Sequence, residues 1–282
     1  IILMKLKKDN FDYFILRHII FLYGELKSIF LSKNYYSRKG YKYIFRFYIR
    51  YLSNYLDSIN YYLNIDKDKI SSAINNNKPK LSTHGYQFLQ NIDLNKIDFV
   101  EGYLENYSDQ TIIKHKKINY TKARNFSISN GFEKIVKDYL KNDKCNFEIQ
   151  AWDTLSFINR EQVQNSLWHR DRDGLKVLKI FIYLGDTTED HGPHEYVAGS
   201  HLIKPIRFVP QIRYTTKNVN EVFQNNRKLL TGRKGTCFAV DTTGLHRSNP
   251  PQNFEGRSVI NFTYYTGNLI WDENTQEIIL NA

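Results

Sequence analysis

The sequence predicts a mainly β protein with flanking helices and an N-terminal helical extension. Three observations carry this reading. Apolar residues recur at helical spacing before Asp66, the pattern changes at Leu81 to short strands divided by turn residues, and the later strand-like runs are rich in β-branched and aromatic residues. The chain is accordingly divided into a basic, aromatic-rich extension with its linker, 1–80, and a main domain, 81–282. At 282 residues it can bury a sizeable core.

From Phe11 to Ser32, the residues Phe11, Phe14, Ile15, Ile19, Leu22, Leu26, Ile29 and Phe30 fall on one helical face. A turn near Gly40 leads to a second helical stretch, Tyr41 to Leu63. Arg38, Lys42, Arg46 and Arg50 repeat every four residues along it and form a basic stripe. Asp66 to Lys80 is polar, Asn-rich and contains Pro79, the composition of a linker. Helices are expected over Asp98 to Glu105 and Ala123 to Tyr139, the latter from the spacing of Phe132, Ile135, Val136 and Tyr139.

Phe147 to Ile158 reads as a strand in which Gln150, Trp152, Thr154 and Ser156 share a face. That face can line a cavity, so Trp152 and Thr154 are candidate substrate contacts. Leu175 to Leu184 has an apolar run suited to burial on both faces. A turn over Gly185 to Gly192 and another at Gly199-Ser200-His201 follow. Lys204 to Thr231 reads as an irregular insertion with a helix near Val219 to Leu230; its Arg207, Arg213 and Tyr214 are candidates for contact with an anionic substrate. Gly235 to Asp241 and Arg257 to Tyr265 read as antiparallel neighbours turning at Asn249-Pro250-Pro251, which brings His246 and Arg257 to one end of a barrel.

Net charge is +11 and the pI about 9.4, spread along most of the chain. The basic stripe offers contact with anionic lipid or a charged substrate; its bland counterpart is a solvated helix face. Two cysteines, Cys145 and Cys237, make no disulfide framework, which favours a reduced, cytoplasmic setting. No run reaches the ~18 apolar residues of a membrane span. The expected location is cytoplasmic, with peripheral membrane contact as the alternative. Ile1-Ile2-Leu3 precede the single methionine, Met4, so translation is expected to start there or upstream.

The chemistry concentrates at Trp168-His169-Arg170-Asp171. In a strand, His169 and Asp171 point to one side and Arg170 to the other. A third ligand, His246, completes two imidazoles and a carboxylate on one face of a metal, a donor set that fits Fe(II) and leaves positions open for substrates. Arg257 offers a planar fork for a carboxylate.

Taken together, His169-Arg170-Asp171, the segment Asp190-His191-Gly192-Pro193-His194-Glu195-Tyr196-Val197-Ala198-Gly199-Ser200-His201, His246-Arg247-Ser248 and Arg257 resemble the phytanoyl-CoA dioxygenase-like family. Leu81 to Leu89 is similar to the family's opening strand. This resemblance implies a double-stranded β-helix (jelly-roll, cupin-like) core and an Fe(II)- and 2-oxoglutarate-dependent dioxygenase. It implies that His169, Asp171 and His246 hold iron and that Arg257, helped by Ser248, binds the distal carboxylate of 2-oxoglutarate. In the family's reaction O2 and 2-oxoglutarate give succinate and CO2 while a substrate carbon is oxidised. Asp171 stands where halogenating relatives carry a small residue, which points to hydroxylation or a related oxidation. The expected substrate is a small metabolite, lipid or sugar-containing precursor.

Two other classes stay open at this stage: a non-catalytic metal- or ligand-binding barrel, and a basic nucleic-acid-binding protein, although no recognition module is evident. A zinc pair from His191 and His194 is disfavoured, because both lie on a Gly-Pro turn that does not aim the rings together. No Gly-x-Ser-x-Gly elbow and no phosphate-binding glycine loop is present.

Overall fold

In the computed structural model the described residues are 74, 78–104, 113–154, 167–171, 173–174, 176–203, 213–223, 226–249, 251, 256–266 and 276–280. All but Ile203 belong to one compact unit, 66–202 with 213–282. The expected helices at 11–32 and 41–63, the basic stripe and Arg207 lie outside the described residues.

The strands in chain order are β1 (Tyr86–Phe88), β2 (Val100–Tyr103), β3 (Ile113–Ile118), β4 (Lys144–Thr154), β5 (Trp168–His169), β6 (Lys176–Tyr183), β7 (His194–Val197), β8 (Arg213–Tyr214), β9 (Arg227–Leu230), β10 (Cys237–Asp241), β11 (His246–Ser248), β12 (Arg257–Thr266) and β13 (Gln276–Ile279). They form two antiparallel sheets. The larger runs β1-β10-β6-β12-β4-β3-β2, with β13 also on β4; the smaller runs β8-β5-β11-β7-β9. This is the double-stranded β-helix the resemblance implied.

Alternation along β12 sets up two cores. Ile260, Phe262 and Tyr264 face outward into a cluster with Phe126, Phe132, Val136 and Phe147, which includes the two helices covering the larger sheet. Val259 faces inward, with Phe181, Tyr183, Phe238 and Val240, onto Tyr196, Ala198 and Leu230 of the smaller sheet. This second cluster ties the two sheets together, and the side chains treated below lie on its side.

Several expected elements differ. The segment 98–105 contains a strand, Val100–Tyr103, because it finds a partner in β3; pairing outweighs the weak helical pattern. The helix expected over Ala123 to Tyr139 is two, Tyr120–Ser129 and Phe132–Leu140. Asn119 caps the first through its side chain, and Gly131, at φ 72°, makes the left-handed turn between them. Leu81–His84 is one helical turn, so the opening strand is only Tyr86–Phe88. The later helix covers Thr216–Phe223, whereas Arg227–Leu230 is a strand paired with β7. β10 and β12, expected to be antiparallel neighbours, are separated by β6, which pairs with both; β11 lies in the other sheet, between β5 and β7, so no hairpin joins it to β12. Cys145 and Cys237 are both free and buried. Among the described residues no helix is long and apolar enough to cross a membrane.

Candidate active site

The smaller sheet assembles the site. β11 sits between β5 and β7, with His246 opposite His169 on one side and Tyr196 on the other. Residues directly opposite in an antiparallel pair share a face, so His169 and His246 meet, their ring centroids 4.3 Å apart. Asp171 lies just past β5, where its N–H donates to the Thr242 carbonyl at 2.8 Å. Its Oδ1 is 3.8 Å from His169 Nε2 and 3.6 Å from His246 Nε2. Ligand atoms of these three residues all lie within 4.8 Å of one another. Arg170 turns away, donating to the Ser200 and Thr243 carbonyls at 2.7 Å each.

The ring nitrogens away from this centre fix the tautomers. Nδ1 of His169 lies 2.9 Å from the Leu167 carbonyl, and Nδ1 of His246 lies 3.0 Å from that of Gly244. A carbonyl only accepts, so each Nδ1 carries a proton and each Nε2 is the nitrogen left facing Asp171, free to offer a lone pair to a metal. Gly244 is required by space, because a Cβ there would collide with the Tyr196 hydroxyl. Two imidazoles and a carboxylate, held on one side only, suit Fe(II) with open positions.

Burial, reinforced by His246, pushes the His169 imidazole down to about 3. For Asp171 burial acts upward, but Lys179 and the two imidazoles outweigh it and hold the carboxyl well below its usual range. Both shifts act in the same direction on the metal-free protein. An unfolded chain takes up protons on histidine near pH 6.5 while the folded one refuses them until about 3, so stability is full above pH 6.5 and falls as pH drops toward 3. Urea midpoints of metal-free protein at pH 7.5 and 4.5 should show this, with the lower pH markedly weaker. Equal midpoints would mean that His169 is as easily protonated folded as unfolded.

Two contributors were missed from sequence. Lys179, on β6, places Nζ 2.7 Å from Asp171 Oδ2 and 3.4 Å from Asp173 Oδ2. It neutralises the outer oxygen and leaves Oδ1 facing the imidazoles. Its signal was a lone lysine inside the apolar run Val177-Leu178-Lys179-Ile180-Phe181. The other is His194 on β7, whose ring stacks on His246 at 5.3 Å between centroids.

On the opposite face of the smaller sheet, Glu195 accepts from Arg227 Nε at 2.8 Å and Arg247 Nε at 2.6 Å. Both guanidinium groups lie over the Trp168 ring, at 5.5 and 4.9 Å. This clamp holds β5 against β11 and β7, and thereby His169 against His246.

Arg257 opens β12 in the larger sheet, yet its Nη2 donates to Ser248 Oγ on β11 at 2.6 Å, bridging the sheets. The guanidinium is buried, and burial lowers its pKa against the opposing effect of Tyr183. Its Nε has no hydrogen-bond partner, and no carboxylate pairs with it among the described residues. Thr154 is its Cα partner on β4, so the two share the inner face. Trp152, two residues back, packs at the edge of the inter-sheet cluster. Arg213 is the Cα partner of His169 and projects on the same face, whereas Tyr214 pairs with Trp168 and is buried on the other. Tyr214 is therefore not a contact in this site, since neighbouring strand residues point to opposite sides.

Fold and donor set together define a non-haem iron oxygenase. The family model for phytanoyl-CoA dioxygenase (PhyH) matches residues 87–258, more than half of the chain. The chain belongs to the phytanoyl-CoA dioxygenase family, and its cofactor and co-substrates are Fe(II), 2-oxoglutarate and O2. No curated protein matches the sequence. Similar solved structures include EctD from S. alaskensis with bound Fe, at 16% identity and a TM-score of 0.47, covering 71% of this chain and 76% of that one. The epimerase SnoN in complex with Fe3+, alpha ketoglutarate and nogalamycin RO aligns at 12% identity and a TM-score of 0.47, covering 71% and 84%. AviO1 from Streptomyces viridochromogenes Tue57 aligns at 15% and 0.43, covering 73% and 96%.

Proposed function

We propose that this oxygenase hydroxylates an unactivated carbon of a small anionic molecule, a metabolite or a lipid- or sugar-linked precursor. The observation that carries the reading is the buried Arg257 guanidinium, a cation without a carboxylate partner among the described residues, on the same inner side as two Nε2 lone pairs and Asp171 Oδ1. A keto diacid supplies what both ends lack.

In this reading His169, Asp171 and His246 hold the metal. Lys179 keeps Asp171 Oδ2 occupied and so favours binding through Oδ1 alone. Arg257 and Ser248 receive the distal carboxylate, offsetting a desolvation that an unpaired guanidinium otherwise suffers. Bound iron with 2-oxoglutarate and O2 supplies the oxidising power, releasing succinate and CO2. The aromatic inner walls, Phe181, Tyr183 and Phe238, exclude water.

Arg213 supports the anionic substrate. It is half-buried on the His169 face, and the charge of Asp171 partly counters the lowering that burial imposes on its pKa. Trp152 and Thr154, on β4, extend the same inner face and are proposed to line the substrate's side of the cavity.

The test is succinate release in a screen of coenzyme A esters, amino acids, and sugar or lipid precursors, each with an uncharged analogue. Stimulation by an anionic compound and not by its neutral analogue is expected. Arg213→Gln should then raise KM for that compound by ~10-fold or more, the worth of a charge-assisted hydrogen bond, with succinate release in the absence of substrate unchanged. Preference for neutral compounds would remove the anionic class, and an unaltered KM would remove Arg213 as its contact.

A further inference from the structure

We propose that His194 is a co-substrate-binding residue, its imidazole donating a hydrogen bond to a carboxylate oxygen of 2-oxoglutarate lying between the His169, Asp171 and His246 cluster and Arg257. This rests on the reading of the site given above and adds a residue to it.

The placement comes from register. His194 is the Cα partner of Ser248, so the two side chains share the inner face of the smaller sheet, and Ser248 Oγ is the atom that accepts from Arg257 Nη2. His246 is two residues before Ser248 on the same strand and therefore on the same face. The His194 ring lies nearly parallel to that of His246, at 11°, and 5.0 Å from Phe181 on the larger sheet. A five-carbon diacid held at one end by a metal on His169, Asp171 and His246 and at the other by Arg257 would cross this part of the inner face.

His194 also has an unmet requirement. It is 5% exposed, and its Nε2 is buried with no hydrogen-bond partner. An imidazole nitrogen sealed from water and left unpaired is costly, so such a group in a folded protein calls for a partner that arrives with a ligand. Nε2 is not among the atoms that converge within 4.8 Å around Asp171, which separates it from the metal-ligating set. An imidazole with a proton on Nε2 is a hydrogen-bond donor matched in kind to a carboxylate oxygen, which only accepts.

The experiment is an anaerobic titration of 2-oxoglutarate into Fe(II)-loaded protein, read from the visible charge-transfer band, beside Fe(II) retention on desalting. His194→Leu should raise the Kd for 2-oxoglutarate by roughly 10- to 150-fold, the range for a hydrogen bond to a charged group, while retaining Fe(II) as the wild type does. His194→Gln, which restores a donor near the Nε2 position, should recover most of the affinity. Should His194→Leu fail to fold, His194→Met carries the same comparison. A wild-type Kd in the apolar variant overturns the proposal, and loss of Fe(II) retention overturns it by making His194 a metal ligand. A wild type that shows no band at all instead defeats the underlying oxygenase site, a failure distinguishable from either.

Discussion

His169→Ala should leave a folded protein that no longer retains Fe(II), whereas Asp171→Asn should lose the metal and much of its stability as well. The contrast follows from what each side chain does without metal. His169 contributes one hydrogen bond, from Nδ1 to the Leu167 carbonyl, worth about 1 kcal/mol. Asp171 is the close counter-charge of Lys179, at 2.7 Å, with Asp173 more distant at 3.4 Å. Breaking a fully buried ion pair by removing one member costs about 3–5 kcal/mol, because the other charge stays behind; with these side chains 16% and 15% exposed and Asp173 still near Lys179, that range is an upper bound here. For the metal, loss of either ligand should exceed the ~10–100-fold penalty of losing a mere outer partner. Two measurements check this: the charge-transfer band after anaerobic addition of Fe(II) and 2-oxoglutarate, which both variants should abolish, and the urea midpoint without metal, which only Asp171→Asn should lower strongly. A persisting band in His169→Ala would take that imidazole out of the ligand set. Equal urea midpoints would mean that Lys179 is neutralised by Asp173 alone.

Much of this arrangement could be read from the chain because its signals are local. His169 and Asp171 are two residues apart, and an apolar run such as Val177 to Tyr183 fits only a strand covered on both sides. Where the reading erred, the deciding interaction lies far away in sequence. Asn249-Pro250-Pro251 has the composition of a hairpin turn, but turn chemistry does not say to which sheet the next strand returns, and here β12 joins the other one. Val100–Tyr103 and Arg227–Leu230 are strands only because β3 and β7 present free edges to them. Arg213 and Tyr214 were one candidate pair in sequence and became two opposite faces once β8 was registered on β5. Lys179 passed without notice inside an apolar run and His194 was assigned to a turn, until the partner at the other end of each contact was placed.

Arg257→Met should produce an enzyme that is more stable empty and unable to be stabilised by its co-substrate. The guanidinium is buried, its Nε is unpaired, and its contacts in the site are neutral hydroxyls, Ser248 Oγ at 2.6 Å and that of Tyr183. Holding a charge in that environment without a counter-charge opposes folding, and replacement of buried ionic groups by apolar side chains of similar size is neutral or stabilising by about 1–4 kcal/mol. The same change removes the partner of an incoming carboxylate, and truncating one side of a buried charge pair costs about 2–5 kcal/mol in binding. At a concentration that saturates the wild type, stabilisation by ligand follows the logarithm of concentration over Kd, so the variant should gain almost nothing while the wild type gains several degrees. Thermal unfolding under anaerobic Fe(II), with and without 2-oxoglutarate, reads both halves. The opposite pattern, a variant less stable when empty and still stabilised by 2-oxoglutarate, would show that Arg257 serves the fold and leaves co-substrate binding to other residues. With the expected pattern, the instability of the empty pocket and its affinity for a diacid share one origin: a positive charge brought into the core by β12 ahead of the anion that balances it.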